Sequence, residues 1–519
     1  MTTDRYDAVV IGAGHNGLVC AGYLANAGMR VLVCEASPAI GGMAAERRFG
    51  DGKQYSLPAL AHLQFPVATT LREDLKLDSF GYSAGDPVET VTLARDSEPV
   101  ILGAENVRGG TLGDADIAAY PDFSKRYREF AAALAPLFET KPPRLRNPAG
   151  GDRSTFMRLG WKVRFGLGRE NMYEFLRVAA INVYDVLNEV FDDERLKAAI
   201  AFDAVIGNAM GPRTPGTVLA WLQRLHSERH GPPALSNGTL VAALARSAET
   251  AGAVIRPGCE IERIVVENGR ATGVALAGGE TLEAGIVVSG IDPRATFLRL
   301  VGAPQLDAMF ANRVRQIRGA GVVGKLHLGL EGLPEFSGID ASQLRDRLLI
   351  APSMRHIERA FNASKYGECS EHPVFEITVP SLADPSLAPE GRHVMSVNVA
   401  YLPFGLKGGW AENRSAVVRH LLAELESYAP GIASQVTDHE LLSPADIERD
   451  YGAVEGHWHH GELSIHQSLM LRPLYGAAQY DTPVERLYLC SAGCHPGGGV
   501  TGLPGRNAAK RILEPGAVS

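Results

Sequence analysis

Residues 7–35 read DAVVIGAGHNGLVCAGYLANAGMRVLVCE, and this stretch decides the fold. Ala8, Val9, Val10 and Ile11 form a continuous apolar run, the pattern of a strand buried on both faces. The run enters Gly12-Ala13-Gly14-His15-Asn16-Gly17, then a small-residue helix expected over 18–27 that Gly28 closes. Residues 30–34 make a second β run ending on Glu35. Strand, glycine turn, helix, strand and acid, in that order, specify a dinucleotide site. Gly12 allows the tight turn, Gly14 lets the backbone approach a pyrophosphate, and Gly17 lets helix and strand pack closely. The helix N-terminus, with His15 and Asn16 beside it, faces the phosphates. Glu35 is placed to accept from a ribose hydroxyl, with Ala36 next to it.

Working outward, two further segments choose FAD over NAD. Pro38-Ala39-Ile40-Gly41-Gly42-Met43 follows at once, and Gly41, Gly42 and Met43 would let a second loop reach the diphosphate and flavin side. At the far end, residues 487–490 read as a buried strand before SAGCHPGGGVTG and a helix expected over 503–513. This glycine-rich turn, with Gly493, Gly499, Val500 and Thr501, is again an anion site. A helix N-terminus there would stabilise the negative charge that hydride transfer leaves at N1 and the C2 carbonyl of a flavin. Between the two ends, 238–252 reads as a helix, 254–256 and 261–266 as strands, and Asn268-Gly269 as a hairpin turn into 271–277, with 285–289 returning to the sheet. The expected fold is α/β. A discontinuous Rossmann-type FAD-binding domain is drawn from 1–70, 231–295 and 480–519. A substrate domain from 71–230 and 296–479 has a mixed or antiparallel sheet and a helical cap.

Composition agrees. The 519 residues suffice for two to four domains, and an apolar share of 45% with 21% charged residues excludes a disordered chain. A net charge of −8 gives no nucleic-acid footprint, and six cysteines without a C-x-x-C pair exclude a zinc ribbon or disulfide scaffold. Glycine supplies 57 residues, about 11% against the usual ~7%. The N-terminus has no secretory pattern and no apolar stretch is long enough to span a membrane, so the expected compartment is the cytoplasm.

The segments VVIGAGHNGLVCAGYLA, GAVIRPGCEIERIVVENGRATGV, VVSGIDPRATFLRLVG, HGELSIHQ and LYLCSAGCHPGGGVTGLPGRNAA carry a family resemblance. The chain resembles the FAD-dependent amine oxidase and phytoene desaturase superfamily. Within it, the chain is most similar to the branch of pyridine nucleotide-disulfide oxidoreductase domain-containing protein 2 and the carotenoid ketolases. The two glycine turns and Glu35, with no recognisable flavin-linking histidine or cysteine context, lead us to expect non-covalent FAD, and the resemblance puts the backbone of Ile261 against the adenine. It also implies that Lys325, in GVVGKLHL, contacts flavin N5 through water, whereas the residues alone equally allow a strand-edge lysine in solvent. Glu46-Arg47-Arg48 departs from the small or hydroxyl residues usual after the paired glycines. A second dinucleotide fingerprint and a redox cysteine pair are both missing, so pyridine-nucleotide disulfide reduction is not expected.

Residues 120–229 have helical periodicity, with one amphipathic helix expected over 174–190. Between 141 and 169 eight basic residues, among them Arg146, face Asp152 alone. Met157, Leu159, Trp161, Val163, Phe165 and Leu167 interleave with them at a spacing nearer two than 3.6, against an amphipathic helix. The segment is either a peripheral membrane contact through which a lipophilic substrate enters or a solvated basic face. His457, His459, His460 and His466 crowd around Glu462, but their spacing suits no clean metal pair. His460 and Glu462 are expected to line the pocket or relay protons, and no metal is expected. His62 faces either the flavin or an ordinary loop.

The functional expectation is an FAD-dependent oxidoreductase that takes a hydride from a C–H bond of a largely apolar small molecule. Electrons would pass to oxygen, a quinone or another acceptor. Desaturase, ketolase, alcohol oxidase and amine oxidase stay open; Cys494 and His495, where an amine oxidase usually shows an aromatic pair, weigh against the last. The alternative from another class is an FAD-bound binding or assembly protein with little turnover.

Overall fold

The computed structural model describes residues 5–95, 97–110, 112–145 and 147–515. Tyr6–Ile11 pairs in parallel with Val31–Cys34 on one side and with Thr281–Ser289 on the other. Val254–Arg256 extends this sheet beyond Val31–Cys34, and Leu487–Leu489 extends it beyond Thr281–Ser289, both in parallel. Three separated stretches of chain thus supply one five-stranded parallel layer. Ala8, Val9, Val10, Ile286, Val287 and Val288 are fully buried, as parallel strands covered on both faces require.

Thr281–Ser289 also serves a second sheet region. Its first residues pair antiparallel with Arg270–Leu276, which continues through a hairpin to Ile261–Glu267. Asn268 and Gly269 have φ of 51° and 76°, the two left-handed residues of a type I′ turn, as the Asn-Gly pair anticipates. His15–Asn26 packs against both Thr239–Thr250 and Leu503–Ile512. Glycine sets two of the approaches: a Cβ on Gly17 would lie 2.1 Å from the Gly12 carbonyl oxygen, and one on Gly505 would lie 2.2 Å from that of Asn16.

The other large sheet runs in the order Val436–Leu442, Val323–Leu330, His393–Ala400, Val374–Thr378, Arg347–Ile350, Thr90–Thr92, Val100–Leu102 and Val107–Arg108. It is antiparallel except where Arg347–Ile350 meets Thr90–Thr92. The hairpin of Glu46–Phe49 and Tyr55–Pro58 leans on it, and Arg47 holds Glu440 through two hydrogen bonds of 2.8 Å. The Glu46-Arg47-Arg48 departure is therefore where this hairpin is fastened to the larger sheet.

Two helical expectations need correction. The segment 174–190 is two helices, Gly168–Val178 and Val183–Asn188, because Asn182 accepts from the Asp185 N–H and caps the second. The basic segment is helical, not extended: Gly150–Trp161 runs through a π-helical turn, Lys162–Gly166, into Gly168–Val178. Leu159, Val163 and Leu167, four apart, pack onto the helical core, while Met157, Trp161 and Phe165, also four apart, are 70%, 67% and 59% exposed. Two stripes of period four offset by two residues imitate period two. Arg146 lies outside the described residues. Among the described residues, no helix is long and apolar enough to cross a membrane.

Candidate active site

A cavity of about 760 Å³ opens at the C-terminal ends of the parallel strands, where such sheets bind ligands, and continues to the larger sheet. At its nucleotide end lie Gly12, Gly14, His15, Asn16, Glu35, Ala36, Gly41, Gly42, Met43 and Ile261. Gly12 has φ +91°, and the space where a Gly14 Cβ would stand is open. The Gly41 N–H donates to the Ala13 carbonyl at 2.9 Å, so the second glycine loop is fastened to the first. Glu35 accepts from the Ala13 N–H at 2.7 Å and the Ser37 N–H at 2.9 Å, which ties the end of the second strand to the glycine turn.

The C-terminal wall is Ala492, Gly497, Gly498, Gly499 and Val500, and the three glycines have φ of 76°, 70° and 66°. Gln223, from the helix Thr217–Ser227, donates to the carbonyls of Pro496 and Gly497 at 2.8 and 2.6 Å, joining this wall to the helical layer. Trp458, His459, His460 and Leu463 complete it. Burial, reinforced by Arg472, lowers the imidazoles of His459 and His460 to about 3 and keeps them neutral. Burial and His460 lower His15 to about 4.

Gly17, Gly493 and Thr501 stand outside the lining. Gly17 serves packing. Gly493 is pressed against Pro293 and the His460 Cβ, and Thr501 Oγ1 accepts from the Leu503 N–H. Glu462 also stands outside: its backbone holds Arg472 and Arg318, and burial raises its carboxyl. Lys325 lies one residue behind the wall. Its strand is interior, and the side chain is 1% exposed, so the solvent-facing alternative does not hold.

The Lys325 amine reaches His62 Nδ1 at 2.7 Å, Asn398 Oδ1 at 3.0 Å and the Leu60 carbonyl at 3.5 Å; His62, Asn398 and Leu60 all line the cavity. Asn398 is oriented by donating its Nδ2 to Glu376 at 2.6 Å, leaving Oδ1 to accept. Arg347 then joins Glu376 and Asp203 at 2.7 and 2.6 Å. With three acceptors around one amine, His62 Nδ1 accepts and the neutral ring carries its proton at Nε2. That Nε2 has no protein partner, so the ring offers a donor to the cavity. Burial pulls the Lys325 amine down to about 7, against the opposing pull of Glu376.

The chain fits a dinucleotide. Buried polar atoms without protein partners belong to lining residues at both ends: His15 Nε2, Asn16 Oδ1, His62 Nε2, Trp458 Nε1, His459 Nδ1 and His460 Nδ1. Such atoms are costly unless an occupant or water pairs them. Asp203, Arg224, Gln223, Glu376, Asn398 and Trp458 were not foreseen from the sequence, because they come from two helices, two strands and a loop with no shared motif. Arg472 was also missed, though an arginine between Leu471 and Pro473-Leu474 carries the same signal as Lys325, a charge in an apolar stretch.

Glu35→Ala removes the proposed ribose acceptor and unpairs two backbone N–H groups. FAD retention should weaken by roughly ten- to a hundredfold, for about 1.5–3 kcal/mol of charged hydrogen bonding. Flavin content after prolonged dialysis measures this, and a full complement would rule out the ribose assignment.

Residues 17–513 match the family model for flavin containing amine oxidoreductase. The chain is 32% identical to pyridine nucleotide-disulfide oxidoreductase domain-containing protein 2 of Rattus norvegicus, over 98% of this chain and 94% of that protein. It is 25% identical to the lycopene-forming phytoene desaturase of a Paracoccus species, over 96% and 95%. The crystal structure of an oxidoreductase from Methanosarcina mazei superposes with a TM-score of 0.60 at 18% identity, covering 98% of this chain and all of that one, and so shares the fold. With the family model spanning nearly the whole chain and the glycine turns facing one cavity, the protein belongs to the flavin-containing amine oxidoreductase family and is an FAD-dependent oxidoreductase.

Proposed function

We propose that this enzyme takes a hydride from a C–H bond of a largely apolar small molecule and releases the electrons to dioxygen, a quinone or another diffusible acceptor. FAD, when bound, accepts that hydride. The observation that carries the reading is the single cavity joining the nucleotide turns to the interior of the larger sheet. In this reading 1–70, 231–295 and 480–519 hold FAD, while 71–230 and 296–479 hold and cover the substrate. Leu60, Phe65, Ala204, Ile206, Ala220 and Leu463 supply apolar wall. The phytoene desaturase relative is named for a hydrocarbon polyene, which suits such a wall.

Asp203, Glu376 and Asn398 in the same lining favour a second reading, in which an alcohol or amine is the hydride donor. Anaerobic mixing with polyene hydrocarbons, allylic alcohols and primary amines separates the two by which class bleaches the flavin absorbance. No bleaching by any compound that binds would instead support a flavin-bound scaffold. The FAD should be released by denaturation and pass a filter, and colour retained on the polypeptide would exclude non-covalent binding.

We also propose that the segment 141–169 rests on anionic lipid. Its basic residues flank the exposed Met157, Trp161 and Phe165, and the Arg164 guanidinium lies 5.2 Å from the Phe165 ring centre. The protein should sediment with phosphatidylcholine vesicles containing about one-third phosphatidylserine, and less with phosphatidylcholine alone. Replacing Trp161 and Phe165 by serine should reduce binding about tenfold, since each withdraws an aromatic from the interface. Equal recovery of both proteins would leave a solvated basic face.

A further inference from the structure

Arg472 is among the largest fully buried side chains, 1% exposed, and it has an unusual partner set. Its Nη1 donates to the carbonyls of Glu462 and Gln467 at 2.8 and 3.5 Å. Its Nη2 donates to those of His459, Gly461 and Ala492 at 2.7, 3.2 and 2.9 Å. Among the described residues, no carboxylate lies within ion-pair distance of it. The nearby Asp292 is fully buried and committed elsewhere, accepting from the backbone of Arg294 and Val454 and pairing with the Arg294 side chain. The Glu455 carboxylate is also committed to Arg294. The guanidinium is solvated by carbonyl dipoles, with Asp292 acting on it only through space, and burial lowers it only to about 10.

That charge is directed at the cavity. Three of the residues it touches, His459, Ala492 and Gly497, are cavity wall, and a Cβ on Gly497 would lie 2.1 Å from Nε. Glycine at 497 is therefore what allows the cation to stand immediately behind the wall. The surrounding imidazoles respond: His457, His459 and His460 are all held neutral, with Arg472 contributing. The same wall is bonded to Gln223 of the helical layer, so it closes the cavity on the side of the helices.

We propose that Arg472 is the fixed positive charge that makes the bound flavin easier to reduce, by stabilising the negative charge the ring gains when it takes up a hydride. A buried cation immediately behind the wall of the cavity favours the more negative state of an occupant. Arg472 does this through space and through the wall it clamps, so it is a positioning and electrostatic residue, not one that touches substrate. The inference rests on the FAD assignment. A wild-type protein without flavin would remove that assignment, whereas a flavin-replete variant with unaltered potential would remove only this one.

The test is the midpoint potential of the holoenzyme, titrated against reference dyes, for wild type, Arg472→Gln and Arg472→Lys, with flavin content measured for each. In Arg472→Gln the ratio of reduced to oxidised flavin at a fixed potential should fall about tenfold, equal to about 30 mV for a two-electron couple. In Arg472→Lys, which keeps the charge but cannot span five carbonyls, it should change less than threefold. A change below threefold in a flavin-replete Arg472→Gln overturns the proposal, as does an equal fall in both variants, which would make shape and not charge the cause. Should neither variant retain flavin, the wild-type potential decides. Uptake of one proton per two electrons, about 30 mV per pH unit, should persist down to about pH 5.5 if a fixed cation holds the reduced ring as an anion. Uptake of two protons there overturns it.

Discussion

Gly17→Ala should cost the apoprotein about 3 kcal/mol or more and lower its melting temperature. The added Cβ would sit 2.1 Å from the Gly12 carbonyl oxygen, which is backbone and cannot swing away. Two effects compete. Alanine gains about 1 kcal/mol over glycine inside a helix, but forcing an atom into packed backbone costs about 1–3 kcal/mol and more when nothing can yield. The clash wins because the strand Tyr6–Ile11 and the helix His15–Asn26 both lie in the core and have no direction in which to separate. Gly14→Ala is the contrasting case. Its Cβ meets nothing within 4 Å and Gly14 lines the cavity, so the fold should be stable within about 0.5 kcal/mol while flavin retention drops. Thermal melting of the apoproteins, paired with flavin content after dialysis, separates the effects. Equal melting temperatures for wild type and Gly17→Ala would contradict the packing role.

Lys325→Met should slow reoxidation of the reduced flavin tenfold or more, for about 1.4 kcal/mol of lost stabilisation, and affect substrate-driven reduction much less. The amine stands behind His62 and Asn398, so its charge reaches the cavity through one layer of polar groups. A cation there favours negative charge developing on an acceptor such as dioxygen. The pH dependence follows from the lowered pKa. Burial brings the amine to about 7, so the ammonium is present below that pH and is lost above it. Reoxidation by wild type should therefore fall as pH rises through about 7, and the Met variant should show no such step. Stopped-flow measurement of the two half-reactions tests this. Equal slowing of both would indicate a disrupted pocket, and unchanged reoxidation would mean that Lys325 does not act on the flavin.

The nucleotide end was legible in the sequence because its chemistry is local. Gly12, Gly14, Gly17 and Glu35 lie within one strand-helix-strand unit, where spacing along the chain fixes spacing in space. The Asn268-Gly269 turn was legible for the same reason, since two left-handed residues define a hairpin without help from the rest of the molecule. The basic segment misled because two helical stripes overlapped, and the reading of 174–190 as one helix missed a cap at Asn182 that ends one turn and begins another.

By itself, then, the sequence determined the dinucleotide unit, the flavin preference and the α/β class, all properties of residues near one another in the chain or of a distinctive terminal glycine run. Only the tertiary structure decided what lines the cavity beyond the glycine turns. Lys325 meets His62 across 263 positions of sequence, and Gln223 meets Gly497 across 274. The wall that Arg472 braces joins a loop, a glycine run and a helix from distant segments. No periodicity encodes such meetings. They follow from how two sheets and a helical layer stack, and the partners of a buried charge exist only once that stacking has excluded water.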